Sequence, residues 1–597
     1  MPEYKIFPAI GIARVGNAPE KYYLGPETYR GLPINPDGRD FTEPDFRDAE
    51  GRLCRQAARF RVYRIDNGVA EEVTLATPGV RSITWTVHLA NKKASWYTFE
   101  TSLGEDGYAP NHPLRNPAAA DRHKLIIDAG PRSIAGASQR GIAFDRHSVP
   151  TGYQGAYFPD GVLHPVELAI DTLGELQTDP EGRLIVLGGL GISGSTDRDP
   201  EIHHYANNDN WWDDTADGPV AATIEFADGA LAAAAESAWV LVAPPKFAPQ
   251  LANLVSLYDT IFDAAVRAGH YPQIFANGFW QSGKNGYRPN FRVDIQPLFE
   301  RASLYPWVAA IPPKPHDFPL DKLGRLGPDG LGHPDFAGLR RYVLDFVRPP
   351  DSENVLISGS GATMMPYLAG DNCLLPDHAP NKYMRLTDTQ YFMLQQWAEG
   401  WFYDAAPAAE PTGDLTRAVL DNCVGGPFSP GIEMTWISRN QMIYSEPFRI
   451  RAHFVGNGPL DLDFEPARGM EAGDITRYMA VPWQADFNEC SSQPIGERTL
   501  WWWPPQRPEF VYLPPPPRRA AADLPPPPDE TTGRQVAWIG TDFDQKGADF
   551  ISFPDDVDMV RYWHGLGFVV EKEIDGRLRF VEVERRLPRP FVPDANG

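Results

Sequence analysis

The sequence predicts a β-rich α+β protein with antiparallel sheets, a helical middle section and long irregular loops. The 597 residues include 60 prolines and 53 glycines, a composition typical of chains with many turns and irregular connections. Most segments with strand-like alternation precede residue 245, whereas apolar residues at helical spacing are concentrated between 246 and 410. We therefore expect a β-rich domain over 1–245, a mainly helical region over 246–410 and a C-terminal region over 411–597.

The N-terminal strands are indicated by apolar side chains at every second position. Residues 60–65 and 82–89 alternate in this way, as half-buried strands do. Residues 183–187, an arginine followed by four apolar residues, are predicted to form a strand that leads into the glycine-rich turn 188–194. No Lys-Ser/Thr pair and no dinucleotide fingerprint follows this turn, so a tight β connection is a better interpretation than a phosphate loop.

Helices are predicted where apolar residues recur at spacings of three and four. These segments are 249–268, 336–347, 387–402 and 412–423. A proline-rich tract over 504–529 is typical of an extended, polyproline-like crossing on the surface. Residues 577–584 alternate like a final edge strand.

Charge and composition exclude several classes of function. The net charge of −24 argues against nucleic acid or an anionic membrane as partner, because both attract clustered Lys and Arg. The sequence has no visible signal peptide and no run of about 18 apolar residues, so we expect a cytoplasmic protein, with export by another route left open. The four cysteines are far apart and predict neither a disulfide framework nor a metal site.

Residues 205–219 form a predicted polar loop that carries four aspartates and the adjacent Trp211 and Trp212. The pattern of a calcium-binding loop is missing. The two tryptophans could instead form the wall of a pocket. Residues 220–226 are then predicted to form a strand.

The segment 481–490 places a carboxylate four residues before a thiol. If Pro482 opens a helical turn, Asp486 and Cys490 lie on one face, about 5–6 Å apart at Cβ. A base at that distance could serve a reacting sulfur. The alternatives are that Cys490 is a small buried apolar residue and that Asp486 caps the local turn.

Several motifs, taken in order along the chain, resemble those of the bacterial lysine ε-oxidase and glycine oxidase quinoproteins. The matching segments are 10–17, 208–219, 425–433, 482–487 running on to Cys490, and 563–568 beginning at Trp563. They extend over nearly the whole chain, so the similarity does not depend on one motif.

The resemblance implies a cofactor built from the protein's own side chains, cysteine tryptophylquinone. In this family a cysteine sulfur is joined to a tryptophan ring that also gains two oxygens. Cys490 matches the cysteine, and Asp486 matches the carboxylate needed for cofactor formation and proton transfer. Trp563 is the predicted tryptophan and Trp538 the fallback, which makes 411–597 the cofactor-bearing region.

The resemblance also implies the reaction and its partners. A primary amine of an amino acid is oxidised, dioxygen is reduced to hydrogen peroxide, and ammonia is released. A separate flavoprotein completes the cofactor, and a homodimer or homotetramer is expected. The sequence does not decide between the lysine ε-amine and a glycine-like α-amine, and both a cofactor-less binding protein and an unmodified β-rich hydrolase remain as alternatives.

Further pocket residues follow from the resemblance with alternatives left open. Trp211 or Trp212 is expected at the substrate entry. Cys423 lies near the region where a family thiol or imidazole approaches the quinone, but Ser429 could hold that position and Cys423 could be a core residue. His564 is adjacent to the predicted cofactor tryptophan and could support it or lie on the surface.

Overall fold

The computed structural model describes residues 2–100, 108–109, 111–233, 236–309, 316–352, 364–370, 382–407, 409–426, 431–463, 468–489, 492–495, 498–513, 535–538, 557–574 and 576–586. Within these residues the fold is sheet-rich with short helices and long connections, which confirms the predicted fold class. No helix in this part of the chain is long and apolar enough to cross a membrane.

Seventeen strands are described in the N-terminal part of the chain. In chain order, β1 to β17 are Glu3–Phe7, Ile10–Arg14, Tyr22–Leu24, Arg55–Asp66, Val69–Val73, Val80–Val87, Ala90–Asn91, Ile127–Asp128, Arg132–Ala135, Ile142–Asp145, Thr172–Thr178, Leu184–Gly188, Ser193–Ser195, Trp211–Asp213, Ala216–Phe226, Leu231–Ala233 and Ala238–Ala243. The segments predicted at 60–65, 82–89 and 183–187 coincide closely with β4, β6 and β12.

One large sheet contains all of these strands except β13 and β14, which pair with each other, and its central path runs β10-β11-β12-β4-β2-β17-β15-β6-β9. Most neighbours are antiparallel, whereas β2 with β17 and β3 with β4 are parallel. Strand β2 is buried at all five positions because it lies between β4 and β17. This places the cationic side chain of Arg14, the last residue of β2, inside the protein.

The helices lie mostly in the middle and C-terminal parts of the chain. In chain order, α1 to α8 are Leu257–Arg267, Gln296–Leu304, Leu320–Leu323, Ala337–Leu344, Asp388–Ala398, Pro411–Asp421, Trp483–Glu489 and Val557–Tyr562. The four predicted helices correspond to α1, α4, α5 and α6. Helix α1 starts later than the predicted 249, because Ser256 caps it through a reciprocal pair of hydrogen bonds with Asp259.

Ten further strands form small two-stranded units outside the large sheet. In chain order, β18 to β27 are Phe275–Ala276, Phe279–Trp280, Tyr444–Glu446, Arg449–Ile450, Ser492–Ile495, Arg498–Trp501, Phe510–Tyr512, Gln535–Ala537, Phe568–Ile574 and Arg577–Val583. The predicted final edge strand is β27, which forms an antiparallel hairpin with β26.

Two expectations from the sequence were wrong. Residues 504–508 are buried rather than on the surface, because Gln506 donates to the Pro245 carbonyl and accepts from the Phe247 amide. The remainder of the proline-rich tract from 514 lies outside the described residues. The predicted polar loop 205–219 includes β14 and the start of β15, and its Asp213, Asp214 and Asp217 are all buried.

Candidate active site

Helix α7 carries Asp486, and the N-terminal part of the chain holds the start of this helix. The Trp483 amide, in the first residue of α7, donates to Asp213 Oδ2 at 3.0 Å. The preceding Val481 donates its amide to the Ala206 carbonyl and accepts a hydrogen bond from Asn208 Nδ2. Segment 206–213 therefore fixes the position at which α7 begins.

Asp213 is fully buried, and its carboxylate is saturated with donors. Lys93 Nζ donates to Oδ2 at 2.8 Å, while Asn91 Nδ2 and Thr215 Oγ1 donate to Oδ1 at 3.0 and 2.6 Å. Burial lowers the pKa of Lys93, whereas the charge and hydrogen bond of Asp213 raise it. A buried charge is tolerated when it is paired and hydrogen-bonded in this way.

Asp486 is 2% exposed and lines a small internal cavity. Lys93 and Glu433 contribute the other charged side chains, and Thr215 and Thr476 contribute hydroxyls. Within the described residues, the cavity has room for about one water molecule, which can act as a proton carrier.

Glu433 faces the cavity as one member of a second buried ion pair. Its Oε1 accepts from Arg14 Nη2 at 2.7 Å, and its Oε2 accepts from the Val424 amide at 2.9 Å. Cys423 lies behind this pair, with its Sγ 4.0 Å from Arg14 Nη2. Burial raises the pKa of the Cys423 thiol well above its usual value, so the thiol is neutral. Cys423 is not among the residues that line the cavity.

Trp563 is 2% exposed and occupies a short 3-10 turn, Trp563–Gly565, directly after α8. Its ring meets the ring of Trp483 edge-on, with centroids 5.4 Å apart and an interplanar angle of 75°. This contact joins the indole to the helix that carries Asp486. Aromatic pairs in such an arrangement are favourable beyond the area they bury.

The glycine-rich turn packs against the six-membered ring of Trp563. A Cβ on Gly191 would lie 2.1 Å from Cζ2 and 2.6 Å from Cη2 of the indole, and the φ angle of Gly191 is +75°. Both the close approach and the backbone conformation therefore require glycine. The turn is a cradle for an aromatic ring, consistent with the prediction that it is not a phosphate loop.

The other side of the same turn faces Asp214. A Cβ on Gly189 would lie 2.5 Å from the Asp214 carboxyl group, and the Asp214 amide donates to the Ile192 carbonyl at 3.1 Å. Burial raises the pKa of Asp214 to about 7, although the backbone amides of the turn lower it. The turn is thus held between a buried carboxyl group and the indole.

Trp538, the fallback tryptophan, is also fully buried but lies against a different aromatic ring. Its Nε1 donates to the Gly567 carbonyl at 3.2 Å, and its ring lies 5.0 Å from that of Phe247. Phe247 in turn packs on Phe487 of α7 at 5.9 Å. Trp538 therefore reaches α7 through a second ring, whereas Trp563 contacts a residue of α7 directly.

Trp211 and Trp212 are buried, and neither lines the cavity. Trp211 donates its Nε1 to the Glu201 carbonyl at 3.0 Å and packs in a cluster with Val481, Ala485 and two apolar residues of α8. Trp212 points to the opposite face of β14 and contacts Tyr157. Trp211 thus packs against Val481, which precedes α7, and Ala485, which lies in α7.

The remaining predicted site residues are His564, Cys490 and Ser429. Burial and the nearby Arg47 lower the pKa of His564, whose ring meets Trp563 edge-on at 5.8 Å. Cys490 and Ser429 lie outside the described residues. Cys54 is buried, and burial raises its thiol pKa to about 12.

Four residues of this site were not identified from the sequence: Lys93, Asp213, Glu433 and Gly191. Asp213 and Glu433 fall within segments that carried the family resemblance, but their partners are distant in sequence. A lysine inside the mostly apolar stretch 83–99 was the available signal for Lys93, since lysine is seldom buried without a partner.

Comparisons with known proteins support the resemblance. The family model described as L-lysine epsilon oxidase N-terminal matches residues 7–242, and the model described as L-lysine epsilon oxidase C-terminal domain matches 366–504. The L-lysine 6-oxidase of Marinomonas mediterranea is 35% identical over 536 residues, covering 82% of this chain and 71% of that protein.

Solved structures from the same organism share the fold. A crystal structure of the Schiff base intermediate of L-Lys epsilon-oxidase with L-Lys superposes with a TM-score of 0.81, and another structure of L-Lys epsilon-oxidase superposes with a TM-score of 0.80. Both are 28% identical in sequence, and each alignment covers 98% of this chain and 95% of the other.

Proposed function

The chain belongs to the L-lysine epsilon-oxidase family of amino acid oxidases, and from this premise we propose that it oxidises the ε-amine of L-lysine with a cysteine tryptophylquinone made from Cys490 and Trp563. Dioxygen takes up the electrons, and hydrogen peroxide and ammonia are released. The choice of lysine over glycine is supported by the name of the 35% identical relative. Family membership removes the hydrolase alternative.

The observation that best supports this cofactor is the fit of Gly191 to Trp563. The six-membered ring of the indole lies against bare backbone where any side chain would collide with Cζ2 and Cη2. Trp483 holds the ring from a second direction and belongs to α7, the helix that leads to Cys490. A cysteine tryptophylquinone supplies an electron acceptor, and this environment can keep its ring rigid and away from water.

The side chains around the cavity are suited to proton handling. Asp486 accepts a proton at its carboxylate, and the ammonium group of Lys93 beside the same cavity favours the ionised form that can do so. One water molecule in the cavity can pass the proton onward. The buried side chain of Trp483 lines the same cavity and limits access of further solvent to Asp486.

Intact-mass measurement tests the proposal. Protein produced together with a maturation flavoprotein of the family should be about 28 Da heavier than its encoded sequence, because two oxygens are gained and four hydrogens are lost. A proteolytic digest should contain Cys490 and Trp563 in one cross-linked species. The same sample should consume oxygen with L-lysine and not with glycine.

Two results would contradict parts of this proposal. An unshifted mass in fully matured protein would mean a member of the family without the cofactor. A modified protein that consumes oxygen with glycine but not with lysine would retain the cofactor assignment and reject the substrate. Protein made without the flavoprotein serves as the unmodified reference.

The Gly191 cradle gives a separate prediction. Gly191→Ala should reduce the modified fraction at least tenfold, because the new Cβ would lie 2.1 Å from Cζ2 and displace the ring. Gly161→Ala is the matched control: Gly161 has nearly the same φ, +76°, but nothing within 4 Å of an added Cβ. Intact mass after co-production with the flavoprotein measures both variants. Equal modified fractions would show that the contact with Gly191 does not matter for Trp563.

A further inference from the structure

We propose that the buried Lys93–Asp213 pair is a positioning element that sets both the placement and the ionisation of Asp486, an inference that rests on the proposed function. Lys93 is the first residue of a short 3-10 segment, Lys93–Ser95, in the N-terminal part of the chain, and Asp213 is the last residue of β14. Neither residue is near Asp486 in sequence. Two independent contacts connect the pair to α7.

The first contact is mechanical. Asp213 Oδ2 accepts hydrogen bonds from both Lys93 Nζ at 2.8 Å and the Trp483 amide at 3.0 Å. Its Oδ1 is occupied by Thr215 and Asn91, so the carboxylate cannot rotate without breaking several buried hydrogen bonds. Trp483 starts α7, and Asp486 follows less than one turn later. The orientation of Asp213 therefore determines the direction in which α7 presents Asp486.

The second contact is electrostatic. Lys93 and Asp486 line the same water-sized cavity, and the charge of Asp486 acts to raise the pKa of Lys93. The same interaction favours the ionised carboxylate of Asp486, since opposite charges in a buried site stabilise each other. The other charged groups around Lys93 and Asp486 are Asp213, which raises the pKa of Lys93, Arg115, which lowers it, and Glu433, which lines the same cavity and is paired with Arg14. Burial is the largest effect and lowers the pKa of Lys93 below its usual value, and Asp213 is the partner that most strongly opposes this by favouring the ammonium form.

The neighbouring Lys92 provides a matched comparison within the same chain. It is also fully buried, and its Nζ pairs with Asp474 at 2.7 Å and Glu471 at 3.3 Å. The described hydrogen-bond partners of these two carboxylates lie at Lys92 and within 461–477. Lys92 therefore forms a buried ion pair like that of Lys93, but the partners of Lys92 do not bind the start of α7.

The experiment compares Lys93→Met with Lys92→Met, each co-produced with the maturation flavoprotein. Lys93→Met should reduce the modified fraction at least tenfold by intact mass. In the modified remainder, the acidic limb of the pH profile of kcat/KM should move up by about one pH unit, because a carboxylate that loses a neighbouring ammonium group is protonated at higher pH. Lys92→Met should lose comparable thermal stability but retain the wild-type modified fraction and pH profile.

A second variant keeps the test decisive if Lys93→Met does not fold. Lys93→Gln removes the ammonium charge but keeps a side-chain N–H donor next to Asp213, which can still accept the Trp483 amide. This variant should fold and mature, yet show the acidic limb shifted up, which would separate the electrostatic effect from the mechanical one. A wild-type acidic limb in Lys93→Gln would overturn the electrostatic part.

The remaining outcomes are distinguishable. A folded Lys93→Met protein with the wild-type modified fraction and pH profile would overturn the whole inference. If Lys92→Met lost as much of the modified fraction as Lys93→Met, Lys93 would contribute only to general stability. That result would also overturn the inference. A wild-type sample without the mass gain of about 28 Da would contradict the proposed function instead.

Discussion

Trp563→Phe is expected to eliminate lysine oxidation and to leave the intact mass without its gain of about 28 Da. Phenylalanine keeps an aromatic ring against Trp483, but it lacks the fused ring system that carries the two quinone oxygens. Trp563 is buried at 2% exposure, so the smaller ring should also lower stability by about 1–3 kcal/mol. Intact mass, oxygen uptake with L-lysine and thermal unfolding should be measured on the same preparation.

Trp538→Phe is the matched control for this prediction. Trp538 is equally buried and would lose a hydrogen bond from its Nε1 to the Gly567 carbonyl, so its loss of stability should be similar. It should nevertheless keep the mass gain and the oxygen uptake. If Trp538→Phe removes the mass gain while Trp563→Phe retains it, the cofactor tryptophan is Trp538.

Asp486→Asn is the second change with a large expected effect. Asparagine has nearly the same size and can remain in α7, but it cannot take up a proton as a carboxylate does. The modified fraction should fall below detection; if some cofactor forms, turnover should fall by about 10²–10⁴-fold, the usual contribution of a general base. Intact mass distinguishes a failure of maturation from a failure of turnover.

Asp558→Asn tests whether any buried carboxylate in this region has the same effect. Asp558 is 6% exposed, belongs to α8 next to α7, and pairs with Arg561 at 2.8 Å. It does not line the cavity, so maturation and turnover should be close to those of the wild type. If Asp486→Asn behaves in the same way, Asp486 has only a structural role in the first turn of α7.

Much of the fold and part of the site could be predicted from local sequence patterns. Alternation located β4 and β6, and helical spacing located α1, α4, α5 and α6, because each pattern spans only a few neighbouring residues. The resemblance identified Asp486 and Trp563 because each lies in a short motif. The roles of these two residues are predictions, which the variants above test.

The remaining part of the site depends on contacts that a single sequence does not encode locally. The aspartates of 205–219 were interpreted as a polar loop, although Asp213 is buried with Lys93 and Asp217 accepts hydrogen bonds from Trp239 and Thr476. In a sequence, a charged residue that is buried in the fold cannot be distinguished from an exposed one unless its partner is known. The role of Gly191 was hidden for the same reason, because the ring that requires it is near the other end of the chain.

The position of Gly191 against Trp563 also has a consequence for the timing of biogenesis. The cradle and the indole come from segments that are far apart in the sequence and meet only in the folded chain. If Trp563 is oxidised as proposed, oxidation in this cradle requires both segments to have been synthesised and to have folded together. The proposed maturation enzyme would then act on a folded tertiary surface, and a short synthetic peptide spanning 557–574 should not be a substrate for it.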